Sequence, residues 1–118
     1  MGRKAHEGKF APPVIPKAAA ASVAMASMFR EAVRIGVRIA LGTDSGVSPH
    51  GENAHELELM VAGGLSPAAA LRAATSEAAQ LLGLAEKIGT LEAGKAADVI
   101  AVPGNALSDI SAVRRRFW

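Results

Sequence analysis

An apolar run, "RIALGTD" from Arg38 to Asp44, ends in an acid, and His50, Glu52, His55 and Glu56 follow within the next twelve residues. Three kinds of chemistry fit such a stretch. It could be a metal-dependent hydrolytic site, a self-contained metal site, or a polar connection between a strand and a helix. A carboxylate at the C-terminal end of a parallel strand is where barrel enzymes place catalytic groups. Gly42 would give the backbone room there, Thr43 could orient a neighbour, and Asp44 would project from the strand tip. The alternative is that Asp44 caps the following turn through its own side chain.

His55-Glu56 invites comparison with the zinc-protease pattern, in which a second histidine follows one helical turn later. Leu59 occupies that position, so the pattern fails. His50, Glu52 and His55 could form a weak metal site, but the chain holds only three histidines and no cysteine. A site with three protein ligands would need nearly all of the histidines. A solvated loop, or polar groups facing a substrate, is the plainer account. "LEAGKAAD" lacks the flanking glycines and the Lys-Ser/Thr pair of a phosphate-binding loop. It reads as a hairpin turn, with Gly94 at positive φ, Lys95 in water and Asp98 opening a strand. The arginines at 114–116 have no interleaved aromatic residues and read as a charged tail, not a nucleic-acid surface.

The elements that would position these residues follow from periodicity. Residues 1–17 are basic, then proline-rich, and predict an irregular lead-in. Ala21, Met25, Met28, Phe29, Ala32 and Val33 form one apolar stripe in a helix over 18–35, with Gly36 placed to end it and the stripe expected to pack in a core. Val37, Ile39 and Leu41 alternate with Arg38 and Ala40 in a strand over 37–44. Asn53, with Glu56 three residues later, predicts a capping box for a helix that buries Leu57, Met60 and Val61 and ends at Gly63-Gly64. Ser66 and Pro67 start another helix, with a break at Thr75-Ser76 and an end at Gly83. Residues 88–102 read as two short strands around a Glu92–Lys95 turn, and "AVRRRFW" as a last strand.

Composition bounds the rest. The chain has 118 residues, half of them hydrophobic but only 3% aromatic, so its core must be built from alanine and aliphatic side chains. A formal net charge of +2 is too small to argue for nucleic acid. No apolar run approaches the roughly 18 residues of a membrane span. A cytoplasmic chain is the expectation. A single strand between helices needs parallel neighbours on both sides.

Three segments together resemble one family. "GVRIALGTDSGV", then "HGENAHELELMVAGGLSPAAALRAATSEAAQLLGL", then "IGTLEAGKAADVIAV" are similar to the C-terminal part of the amidohydrolase superfamily. The imidazolonepropionase-like and Xaa-Pro or Xaa-Arg dipeptidase-like members are the nearest in pattern. The resemblance runs from Ala18 to Ile110, and the order of all three segments makes it specific.

The resemblance implies an α/β fold: the C-terminal part of a metal-dependent (β/α)8 barrel, with its last strand and covering helices over 18–85. Residues 86–118 would add a β-hairpin of the small β-sandwich domain and a tail. It implies hydrolysis of amide, cyclic amide or dipeptide C–N bonds by a metal-activated water, the metal being a divalent cation, zinc. Asp44 matches the aspartate that sits by the metal and accepts the water's proton, and His50 and Asn53 would lie beside the substrate. The family's His-x-His, its carboxylated lysine or glutamate and its later metal histidines have no counterpart here. A barrel takes roughly 250 residues, so this chain would be about the last quarter to third of an enzyme and inactive by itself. The expected partners are a small amide or dipeptide substrate and, through apolar surface left in water, further copies of the chain or another protein. A non-catalytic module that associates through apolar helix faces is the other reading.

Overall fold

Alanine-rich sequence with a proline in its first turn builds helix α1, Ile15–Arg34. Alanine has the highest helix propensity, and Pro16 sits where a missing N–H leaves no helical bond unmade. The structure, a computed structural model, describes residues 15–46 and 49–115. The chain divides into two compact units, Met1–Val37 and Arg38–Trp118. α1 is the one described helix of the first unit. Gly36, at φ 76°, ends it as the sequence predicts. The Gly36 N–H donates to Val33 O at 3.1 Å and the Val37 N–H to Ala32 O at 2.9 Å, the paired bonds of a Schellman motif.

Two expectations about this unit need correction. Of the lead-in over 1–17, residues 15–17 are already helical and the rest lies outside the described residues. The stripe expected to pack in a core is largely exposed: Met28 is 67% accessible and Met25 52%. Phe29, Ala32 and Val33 are half-buried. Amphipathic spacing predicts which face seeks a partner, and no second described helix in this unit offers one.

The second unit contains α2 (His55–Ala62), α3 (Pro67–Ala73), α4 (Ser76–Leu81) and a 3-10 helix (Ile110–Arg115). α2 packs on α3 and on the 3-10 helix, and α3 packs on α4. The core is small and made as composition requires: Leu57, Met60, Ile110 and Val113 among Ala70, Ala73, Ala79 and Ala112. Alanines let short helices approach closely, so little aromatic volume is needed. Ser66 caps α3 by accepting the Ala69 N–H at 3.2 Å, with Pro67 at the first helical position. The break between α3 and α4 falls at Thr75, whose hydroxyl donates back to Leu71 O at 2.7 Å. α2 and α4 end with the same paired bonds as α1, at Gly64 and Gly83.

The strands expected over 37–44, 88–102 and 112–118 do not form among the described residues. A strand exists only by pairing, and here the partners are few. Of the 37–44 segment, the Leu41 N–H donates to Ala73 O at 2.8 Å, tying the run to α3 rather than to a sheet. Arg38 fastens its start to α4: the guanidinium donates to Glu77 Oε2 at 2.6 and 2.9 Å and also to Gln80 Oε1. Residues 88–102 keep the turn, with Lys95 N–H on Glu92 O at 3.2 Å and Gly94 at φ 90°, and one bond across it, Ala96 N–H to Lys87 O at 2.9 Å. Val99 and Ile100 are exposed. Residues 112–115 of the last expected strand belong instead to the 3-10 helix, because Asp109 Oδ1 accepts both the Ser111 N–H at 3.0 Å and its hydroxyl at 2.6 Å. Such local capping favours a helical turn over an extended chain.

Lys95 is not the solvated turn residue expected of it. Its side chain is only 15% exposed, and Nζ donates to Thr90 Oγ1 at 2.7 Å and pairs with Glu92 at 3.3 Å. The Thr90 hydroxyl and Lys95 together hold the Glu92 carboxyl below its ordinary range.

Candidate functional site at the Asp44 loop

The 37–44 run delivers Asp44 to the start of a turn at Ser45-Gly46. Asp44 has φ 45°, and among the described residues it is the one non-glycine in the left-handed region. Aspartate enters that region more readily than most residues, but the conformation still needs support from its surroundings. The support comes from both neighbours. Asn53 Nδ2 lies 2.9 Å from Thr43 Oγ1 and 2.8 Å from Ser45 Oγ, and the two hydroxyls are 3.2 Å apart. The same Asn53 accepts the Gly51 N–H on Oδ1 at 3.2 Å. A backbone N–H can only donate, so it must face the amide oxygen, and the amide nitrogen must face the hydroxyls. One side chain therefore ties the residues on either side of the acid to the loop that precedes α2.

The sequence pattern makes Asn53 a helix cap with Glu56 as its reciprocal partner, and the structure assigns both differently. α2 begins at His55 with Ala54 at the cap position, and no side chain caps it. A run of tight turn bonds leads in instead: His55 N–H to Glu52 O, Glu56 N–H to Asn53 O and Leu57 N–H to Ala54 O. Because the chain is already turning at Glu52, the Asn53 side chain is free to reach back to residues 43 and 45. Glu56 is exposed. Gly42 needs no special room either, since a Cβ there would meet nothing within 4 Å.

The carboxylate of Asp44 is exposed, and no hydrogen bond from another described residue reaches it. His50 is exposed in the turn Pro49-His50-Gly51, where Gly51 adopts φ 93°. His55 points elsewhere: its Nδ1 is 3.3 Å from Glu58 Oε2 on the same helix. Glu58 Oε1 in turn receives Arg114 Nη1 at 3.5 Å, which ties α2 to the 3-10 helix. Arg115 pairs with Asp109 at 2.8 Å, so two of the three tail arginines serve the fold, and Arg116 lies outside the described residues. No group of three or more His, Cys, Asp or Glu that could hold a metal occurs among the described residues. No described helix is long and apolar enough to cross a membrane.

Ser45 is a member of this network that sequence reasoning passes over. The signal for it is a pair of hydroxyl residues flanking one acid, with an amide eight residues further on. Thr43 is expected to orient a neighbour, and the neighbour is Asn53.

The sequence matches the amidohydrolase family over residues 3–118. Two solved structures resemble the chain closely. One, a Xaa-Pro dipeptidase with methionine bound in its active site, is 42% identical over 98% of this chain, with a TM-score of 0.88. The other, a prolidase candidate from Bifidobacterium longum, is 39% identical over 80% of this chain, with a TM-score of 0.70. Comparison with curated proteins finds no match. The chain belongs to the amidohydrolase family. It spans 29% of the length of the Xaa-Pro dipeptidase and 26% of the second structure.

Proposed function

We propose that this chain carries the proton-accepting carboxylate of an enzyme that hydrolyses amide bonds in small substrates, Xaa-Pro dipeptides first among them. Asp44 is that carboxylate. It takes a proton from the attacking water as the water oxygen bonds to the carbonyl carbon. It then returns the proton to the nitrogen as the C–N bond breaks, so the products are a free carboxylate and a free amine. General base work of this kind contributes about 10²–10⁴-fold in rate. The observation that carries the reading is Asp44 itself: left-handed at φ 45°, clamped on both sides and exposed, in a segment 42% identical to a Xaa-Pro dipeptidase.

In the whole enzyme, residues 37–44 would be the last strand of a (β/α)8 barrel, 53–82 its covering helices and 88–102 part of a small β-sandwich. The strand form would come from pairing with neighbouring strands. His50, exposed beside this loop, is the residue we assign to substrate contact. The described residues do not by themselves fit a zinc or other divalent centre, because one carboxylate does not hold such an ion. Its remaining ligands would lie outside the described residues. What this chain supplies is the proton acceptor and the loop that holds it.

The test is hydrolysis of Xaa-Pro dipeptides by a complete enzyme carrying this segment, with and without Asp44→Asn. Loss of turnover in the variant supports the assignment, and retained turnover removes it.

A second reading has its own observation. Leu81 is 76% exposed, and Val23 and Met28 are 70% and 67% exposed, so a helix in each unit holds large apolar side chains in water. On this reading the chain associates through these helix faces. Light scattering that gives a monomer mass at micromolar concentration would set it aside.

A further inference from the structure

We infer that Asn53 is a positioning residue for Asp44 rather than a substrate contact. The inference rests on the reading of Asp44 as the proton acceptor. Every hydrogen-bonding group of the Asn53 side chain already has a partner within the loop. Oδ1 takes the Gly51 N–H at 3.2 Å, and Nδ2 has one acceptor for each of its hydrogens, Thr43 Oγ1 at 2.9 Å and Ser45 Oγ at 2.8 Å. A substrate acceptor would have to displace a hydroxyl from Nδ2, so all the side chain has left for a ligand is the second lone pair of Oδ1.

The partners are not arbitrary. They stand one residue before and one residue after Asp44, which alone among described non-glycine residues has positive φ. Fixing the residues at i−1 and i+1 to a common atom restrains the two peptide planes that border Asp44. That restraint selects the backbone well and so the direction in which the Cα–Cβ bond leaves the chain. The acid itself receives no hydrogen bond from another described residue. A general base has to stand within hydrogen-bond reach of the proton it removes, and a displacement of about 1 Å can cost about 10²-fold in rate. The bridge also spans the eight residues from Ser45 to Asn53, so it sets where His50 and Gly51 hang relative to the acid.

The experiment begins with the 118-residue chain and needs no activity. Carbon-13 Cα and Cβ shifts of Asp44 report its backbone well, and those of Leu57, Met60 and Ala70 report whether α2 and α3 stay folded. Asn53→Ala is expected to move the Asp44 shifts away from left-handed values while the helix shifts stay in place. Thr43→Val combined with Ser45→Ala, which leaves the Gly51–Asn53 bond intact, should move Asp44 in the same way. Adding Asn53→Ala to that pair should move it no further. If Asn53→Ala unfolds the helices, the hydroxyl pair carries the test alone. Asp44 shifts unchanged in the hydroxyl pair, with helices intact, would overturn the inference while leaving the role of Asp44 in hydrolysis untouched. In a complete enzyme carrying the segment, Asn53→Ala should lower kcat about 10- to 100-fold with KM nearly unchanged. A raised KM with kcat unchanged would make Asn53 a substrate contact after all.

Discussion

A Cβ placed on Gly89 would stand 2.6 Å from Ala79 Cβ, and 3.1 Å from Thr75 O. The glycine of "IGT" therefore lies directly on the start of α4, where α3 breaks at Thr75. This contact explains physically why the "TSEAA" helix start and the "IGTLEAGK" turn belong to one pattern: the second segment closes over the first only where neither carries bulk. Gly89 also has φ 95°, which a side chain would resist independently. Gly89→Ala is expected to destabilise the second unit by more than about 1 kcal/mol, through both strain and clash. Gly94→Ala, at φ 90° but with open space around it, should cost only the backbone part. Urea midpoints of the two variants, followed by circular dichroism, decide this; equal losses would remove the packing argument.

The helix ends are legible in the residues alone, because the chemistry of a stop is local. Gly36, Gly64 and Gly83 each take the left-handed position of the same two-bond motif, and Ser66-Pro67 starts α3 as the sequence predicts. Asn53 misleads for an equally local reason. An Asn followed three residues later by Glu is the pattern of a capping box, and only the turn at Glu52 reveals that the helix starts too late for Asn53 to serve. The strand runs mislead because alternation announces a face, not a partner. Val99 and Ile100 have the right residue types, but no described residue pairs with them as a strand. Lys95 escapes the rule that a turn lysine is wet, because Thr90 sits five residues back to receive it.

Core truncation gives a second prediction. Leu57 is 4% exposed and sits on the α2 face that meets α3 and the 3-10 helix. Leu57→Ala should cost about 2–5 kcal/mol, against nearly nothing for Leu59→Ala on the exposed side of the same helix. Equal effects in a denaturant series would mean that the α2 face is assigned wrongly.

Asp109 gives a pH prediction. The Ser111 hydroxyl, then the Arg115 guanidinium, hold its carboxyl below the ordinary value of 3.8. A lowered folded pKa means the contribution is complete above that ordinary value and is lost as pH falls below it through the folded one. The 3-10 helix should therefore loosen in acid below about pH 4, and Asp109→Asn should remove that part of the acid dependence. Hydrogen exchange at Ala112, whose N–H is bonded to Asp109 O at 3.0 Å, reads it directly. Exchange equally protected on both sides of that window would contradict the assignment.

The chain assayed alone should hydrolyse no dipeptide, with zinc or without it. Its described residues gather no group of three metal-binding side chains, and Asp44 has no described cationic partner to replace a metal. Zinc-dependent release of proline by the purified chain, abolished by a chelator, would show this expectation to be wrong.

The role of Asp44 is the central claim, and one measurement addresses it directly: steady-state hydrolysis of a Xaa-Pro dipeptide by a complete enzyme carrying this segment, native against Asp44→Asn. The substitution keeps the size and hydrogen-bonding reach of the side chain and removes its charge and its affinity for a proton. A fall in kcat of about 10²-fold or more, with the fold intact and KM little changed, is the predicted result. Turnover within a few-fold of the native enzyme would mean that the left-handed acid between Thr43 and Ser45 is only a turn residue.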